Sequence, residues 1–203
     1  MTARSHSILA AGCFVLIAID VSAQGLADVR KLYDAGQYQQ AVTAAAAAAD
    51  SDPRVLYLLA QSQQKLGHRD EARDRYSQLA ARPDDPWKDV GRSAVAQLAN
   101  DMGGALDAAN QAAERGPDVA EAQYQRGVAL SGKQDWPNAA AAFEKATELD
   151  PQWADAHYYA GLAYSKVRRI EQMANHFNTF LRLAPQSPQR AEVQSIMRTL
   201  GGR

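Results

Sequence analysis

Apolar residues return along this chain every three or four positions, in runs cut short by glycine, asparagine or proline. Leu26, Val29, Leu32 and Tyr33 share one helical face, and Gly36 stands where a left-handed residue closes a helix. Gln37–Val42 opens a second helix that continues through the six alanines Ala44 to Ala49, and Asp52-Pro53 closes the pair. The pattern then repeats. Leu56, Leu59, Ala60 and Gln63 line a helix up to Gly67, and Asp70-Glu71-Ala72 opens its partner, which carries Tyr76 and Leu79. Val90, Ala94 and Leu98 precede a turn at Asn100-Asp101, and Asp118 to Glu121 reads as a capping box for the helix that follows. Five helical hairpins are expected, near 22–52, 53–85, 86–119, 120–153 and 154–187. Ser187-Pro188 reads as the start of a solitary helix over 187–203, with Val193, Ile196, Met197 and Leu200 on one face.

The later hairpins keep a fixed interval. Thirty-four residues separate Gly127, Phe143 and Pro151 from Gly161, Phe177 and Pro185, and the same step back from Ala139 and Pro151 reaches Ala105 and Pro117. A glycine within a helix costs about 1 kcal/mol against alanine. Paid twice in register, that cost implies a neighbouring helix crossing too closely for a Cβ, with Ala139 and Phe143 on the opposing surface.

Gly127, Trp136, Ala139, Phe143, Ala146 and Pro151, followed one period later by Gly161, Tyr164, Phe177 and Pro185, resemble the tetratricopeptide repeat, and Ala60, Gly67, Ala72 and Tyr76 match it in the second hairpin. Taken with a leader at the N-terminus, the chain resembles an exported bacterial member of that family. The last two units depart from the pattern, with Gln123 and His157 in place of the family's tryptophan and Gln134 and Arg168 in place of its turn glycine. The resemblance implies an all-α, right-handed solenoid of about five hairpins (residues 24–186) with a C-terminal capping helix over 187–203. It also implies a concave groove lined by the first helix of each hairpin, receiving an extended peptide or a partner's helix. Projected onto this chain, that groove presents Tyr33, Tyr57, Gln61, Gln64, Trp87, Val90, Tyr124, Gln125, Tyr158 and Leu162. The tyrosines are placed either in the groove or between helices, and the glutamines are expected to be exposed. Arg54 and Lys65 make one end of the groove basic, while Glu121 and Asp155 make the other acidic, a pattern suited to orienting a peptide rather than clamping a terminal carboxylate.

Composition changes this picture little. The chain has 203 residues, 46% of them hydrophobic and 22% charged, as in ordinary folded proteins. A net charge of −1 leaves no basic face for nucleic acid. The N-terminus adds more. Arg4, the apolar run Ile8 to Ile19 and Val21-Ser22-Ala23 read as a signal peptide over residues 1–23, cleaved after Ala23, so the product is expected in the periplasm or outside the cell. Twelve apolar residues fall short of the ~20 that span a bilayer. Ala10-Ala11-Gly12-Cys13 has the form of a lipobox, but apolar residues continue past Cys13, which favours a disposable leader. Loss of Cys13, the sole cysteine, leaves no thiol for disulfide, nucleophile or metal. His68, His157 and His176 follow no metal-ligand spacing, and no phosphate loop or nucleophile elbow is present, so no cofactor, metal or catalytic group is expected. The reading is a non-catalytic scaffold for a protein or peptide partner in envelope or secretion-complex assembly. The alternatives are a self-associating array and an accessory subunit of an enzyme complex.

Overall fold

The computed structural model describes residues 21–201 apart from residues 47, 50 and 84; these form eleven α-helices and no strand. The hairpins are α1 (Val21–Asp34) with α2 (Tyr38–Ala45), α3 (Pro53–Lys65) with α4 (Arg69–Ala80), α5 (Pro86–Leu98) with α6 (Met102–Arg115), α7 (Ala120–Gly132) with α8 (Trp136–Leu149), and α9 (Ala154–Lys166) with α10 (Ile170–Leu183). Then comes α11 (Arg190–Gly201). Each helix packs on the next, and α1 with α3 and α5 with α7 touch directly, so the first helices of the hairpins form the inner layer of a solenoid, and α11 packs on α10 at its end. The expected leader reaches α1 only at its last residues; its first twenty, Cys13 among them, lie outside the described residues. None of the described helices is long and apolar enough to cross a membrane.

Local chemistry sets the helix ends. Asp52 and Asp85 are extended residues ahead of prolines, and their carboxylates accept from the amides of Arg54 (2.9 Å) and Trp87 (2.8 Å). The alanine run does not stay helical. α2 stops at Ala45, and beyond it Ala48 O accepts from the amides of Ser51 and Asp52, a turn that leads into the extended conformation the residue before Pro53 requires. The capping box expected over residues 118–121 does not form either. Val119 is the cap residue, with no side-chain bond, and Glu121 is turned into the interior. α11 starts at Arg190, two residues later than Ser187-Pro188 suggests, because residues 188 and 189 form a turn.

One residue in each hairpin turn is left-handed: Gly36 (φ 75°), Gly67 (φ 82°), Asn100 (φ 61°), Gln134 (φ 62°) and Arg168 (φ 58°). The turn geometry is therefore kept where the glycine is lost. Counting from these residues aligns the units. Seven places before the turn stand Ala60, Ser93, Gly127 and Gly161; nine places after it stand Tyr76, Ala109, Phe143 and Phe177. A Cβ on Gly127 would lie 2.6 Å from the Phe143 ring, and one on Gly161 would lie 2.4 Å from the Phe177 ring. The close crossing expected from the paired glycines is present, with a ring filling the space each leaves.

Candidate functional site

The inner helices bring their aromatic side chains to a common centre. Tyr57 of α3 lies 5.7 Å from Tyr76, 6.2 Å from Trp87 and 6.3 Å from Trp153, ring centre to ring centre. Tyr124 of α7 stacks on Trp153 at 4.5 Å and meets Tyr159 of α9 edge-on at 5.6 Å. Such offset and edge-on pairs add stability beyond the area they bury. An amide network ties the rings together. Gln125 Nε2 donates to Tyr57 Oη at 2.7 Å, Gln61 Nε2 approaches the same oxygen at 3.3 Å, and Gln97 donates to Gln125. Tyr76 Oη donates to Gln64 at 3.3 Å.

A small cleft of about 220 Å³ remains at this centre. Six of the ten residues projected into the groove line it: Tyr33, Tyr57, Gln61, Gln64, Tyr124 and Gln125. The other four do not. Trp87 lines a different mouth with Arg30, Arg54 and Glu121, and Val90 is wholly buried. Tyr158 turns away to Phe180 and to Glu192 of α11, which accepts its hydroxyl at 2.9 Å, and Leu162 packs half-buried against the core. The open choice for the tyrosines resolves towards burial: Tyr33, Tyr57, Tyr124 and Tyr158 are all at most 7% exposed. Exposure was expected for the glutamines, yet Gln61 and Gln125 are buried and only Gln64 is exposed, because the tyrosine hydroxyls they serve lie inside.

Lys65, expected at the basic end of the groove, lines the cleft, and Tyr76, Gln97, Val128 and Tyr159, which were not expected there, complete it. Three were within reach of the sequence. Gln97 stands three places before its turn residue, as Tyr33 and Gln64 do, and Val128 stands six places before, as Gln61 does. Tyr159 is the period mate of Gln125, one residue on from Tyr158. Tyr76 gives no such signal, since it reaches in from a second helix.

Of the charges thought to polarise the groove, Lys65 and Asp155 pair across it, Arg54 pairs locally with Asp52, and Glu121 is buried. Asp155 of α9 accepts from Tyr33 Oη at 2.7 Å and lies 3.6 Å from Lys65 Nζ. Arg30 Nη1 meets Asp150 at 2.7 Å, and Arg54 meets Asp52 at 2.7 Å. Burial raises Tyr33, Tyr57 and Tyr124 well above the usual phenol range, so these rings are neutral donors and acceptors near neutral pH. Burial opposes the Lys65 ammonium, but Asp155 outweighs it and holds the pKa above its ordinary value. Burial, with Asp155 adding, pushes the Asp34 carboxyl up to about 7, and burial lifts Glu121 to about 7 as well.

The histidines also meet, although they sit on different helices. His157 Nε2 faces the Pro151 carbonyl at 3.2 Å, and its Nδ1 lies 3.1 Å from Nδ1 of His176. The carbonyl fixes the proton of His157 on Nε2, so His176 donates through Nδ1. Burial lowers both, His176 to about 4 with His157 adding to the effect, which keeps the pair neutral and makes it a fastening inside the fifth hairpin. Among the described residues, no three histidine, cysteine or acidic side chains are grouped so as to hold a metal.

A tetratricopeptide repeat family model matches residues 120–153, and a second matches residues 54–85. The chain is a tetratricopeptide repeat protein. No curated protein matches it at a significant level. Among solved structures, this tetratricopeptide array superposes on TTC0263, a thermophilic TPR protein in Thermus thermophilus. The TM-score is 0.62 at 22% identity, over 87% of this chain and 98% of that one. YrrB, a TPR protein with an unusual peptide-binding site, gives 0.52 at 20% identity over 86% and 92%. The TPR2AB domain of yeast Sti1 in complex with pHSP90 gives 0.53 at 14% over 89% and 85%. Identities this low establish the fold alone. The repeat family is in general an interaction module.

Proposed function

We propose that this tetratricopeptide array is a non-catalytic scaffold that takes a peptide segment or partner helix on its concave side. The observation that carries the reading is the central cleft, walled by neutral tyrosine hydroxyls and glutamine amides, with Lys65 as the one charged residue among the described lining residues and Asp155 beside it to balance the charge. Such side chains suit the amides of a neutral or mixed peptide, and their rings add contact area at low entropic cost. The peptide-binding site of YrrB and the pHSP90 complex of Sti1, on similar folds, support it. The first contacts fall to the accessible rim, Gln64 and the half-buried Lys65, Gln97 and Val128, not to the buried tyrosines. We place the scaffold in the periplasm or outside the cell, its leader cut after Ala23, in the assembly of an envelope or secretion complex.

A photo-crosslinking residue at Gln64, in the full chain within its native compartment, tests the role, with Asp107 on the outer helix α6 as the control position. A heterologous protein captured at position 64 and not at 107 is the expected result. Capture of a second copy alone, or equal capture at both positions, overturns it. N-terminal sequencing of the mature product tests the placement: a chain beginning at Gln24 is expected, and one retaining Met1 contradicts it.

A further inference from the structure

The two ends of this solenoid are fastened to each other. Arg30 reaches Asp150, and Tyr33 reaches Asp155, bonds that join residues 120 and 122 positions apart. Lys65 shares Asp155 and lies over the Tyr33 ring at 5.8 Å. Beside these bonds, Gly36 abuts Pro188; a Cβ there would lie 2.9 Å from the proline ring. This seam differs in kind from the contacts within hairpins. Within a hairpin, glycine and alanine let backbones approach and rings fill the gaps. At the seam the tips of long side chains make most of the contact, with Gly36 against Pro188 as a close backbone approach beside them, and a cleft of about 510 Å³ stays open between α1 and the turn after α10. The Asp34 carboxyl borders that cleft, and its Oδ1 is buried with no hydrogen-bond partner. A junction of few polar bonds beside a void parts at far less cost than a packed helix crossing.

We infer that the seam is a gate on the central cleft, and that a partner gains the tyrosine wall when Arg30, Tyr33 and Lys65 let go of Asp150 and Asp155. The first two hairpins then move away from the last two as a spring opens, each hairpin staying intact. Behind the seam, the bond from Gln125 to Tyr57 and the edge-on contact of Tyr57 with Trp153 part next, which leaves the Tyr57 hydroxyl only its bond from Gln61 on the same helix and opens it to a guest. This rests on the binding role proposed for the cleft, but the gate is an intramolecular property and is read without any partner.

Spin labels on Lys31→Cys and Gln186→Cys, both exposed beside the seam, report its width in the full chain with Cys13→Ser. A single short distance is expected for the parent. Tyr33→Phe combined with Arg30→Gln removes two seam bonds, and the fraction at longer distance should rise roughly tenfold or more, with helicity by circular dichroism unchanged. Quenching of Trp153 fluorescence by acrylamide, with the other two tryptophans replaced by phenylalanine, should rise in parallel. An unchanged short distance in the double variant overturns the gate, and so does opening only together with loss of helicity. Asp155→Asn is the second variant: an unchanged short distance there also counts against it. None of these outcomes bears on capture at Gln64, so the gate and the binding role fail separately.

Discussion

Gly127 and Gly161 sit against phenylalanine rings that leave no room for a methyl group. An alanine at either place gains helix propensity but drives into Phe143 or Phe177, and a net loss of about 1–2 kcal/mol is expected from urea denaturation. Phe143→Leu should recover much of the loss at position 127 and nothing at 161. Gly91 is the sharper case. A Cβ there would lie 2.5 Å from the Ala80 amide nitrogen and 2.6 Å from the Tyr76 carbonyl, and backbone cannot rotate aside. Gly91→Ala should therefore cost more than Gly127→Ala, roughly 3 kcal/mol. Equal losses would show that the approach of α5 to α4 is looser than described. At the same scale, Asp34 gives a pH signature. Its folded pKa, about 7, exceeds the ordinary 3.8, so the folded chain holds a proton the unfolded chain has released, and stability is lost as pH rises from 4 through 7. Asp34→Asn should gain on the parent across that window and hold the gain above it, by about 1–2 kcal/mol at pH 8 after solvent screening is allowed for. The histidine pair acts with the opposite sign, losing stability as pH falls from 6.5 towards 4, so the comparison must be made between variant and parent.

At the scale of the element, turns and crossings were legible in the sequence because each is a local demand. A left-handed residue calls for glycine or asparagine, and a tight crossing calls for a missing Cβ. Gln134 and Arg168 occupy the left-handed place without being suited to it. Gln134→Gly and Arg168→Gly should each stabilise by about 0.5–1 kcal/mol, the relief of backbone strain exceeding the entropy that glycine adds to the unfolded chain. A lowered melting temperature for either would show that its side chain contributes more than its conformation costs. The end of α2 was not legible, because alanine propensity alone carries a helix onward to the stop at Asp52-Pro53, whereas α2 ends at Ala45, seven residues ahead of Asp52. The cap at α7 was missed for a related reason. Glu121 was read as reaching back to the helix start, whereas tertiary packing draws it inside.

Across the whole molecule, the sequence held the repeat but not the closure. Period and landmarks state that hairpins stack, and from them six of the cleft residues follow. They do not state how far the stack curves. That depends on small rotations summed over five units, and here the sum brings α1 against the hairpins of α7 to α10. A groove pictured as hollow is consequently walled and largely filled by its own tyrosines. The most direct measurement is proton NOE spectroscopy on the chain with labelled tyrosine, tryptophan and phenylalanine. NOEs between the Tyr57 and Trp153 rings, 6.3 Å apart across the centre, should accompany those between Tyr124 and Phe143 within one hairpin. Tyr124–Phe143 NOEs without any between Tyr57 and Trp153 would contradict the closed centre and leave an open array in its place.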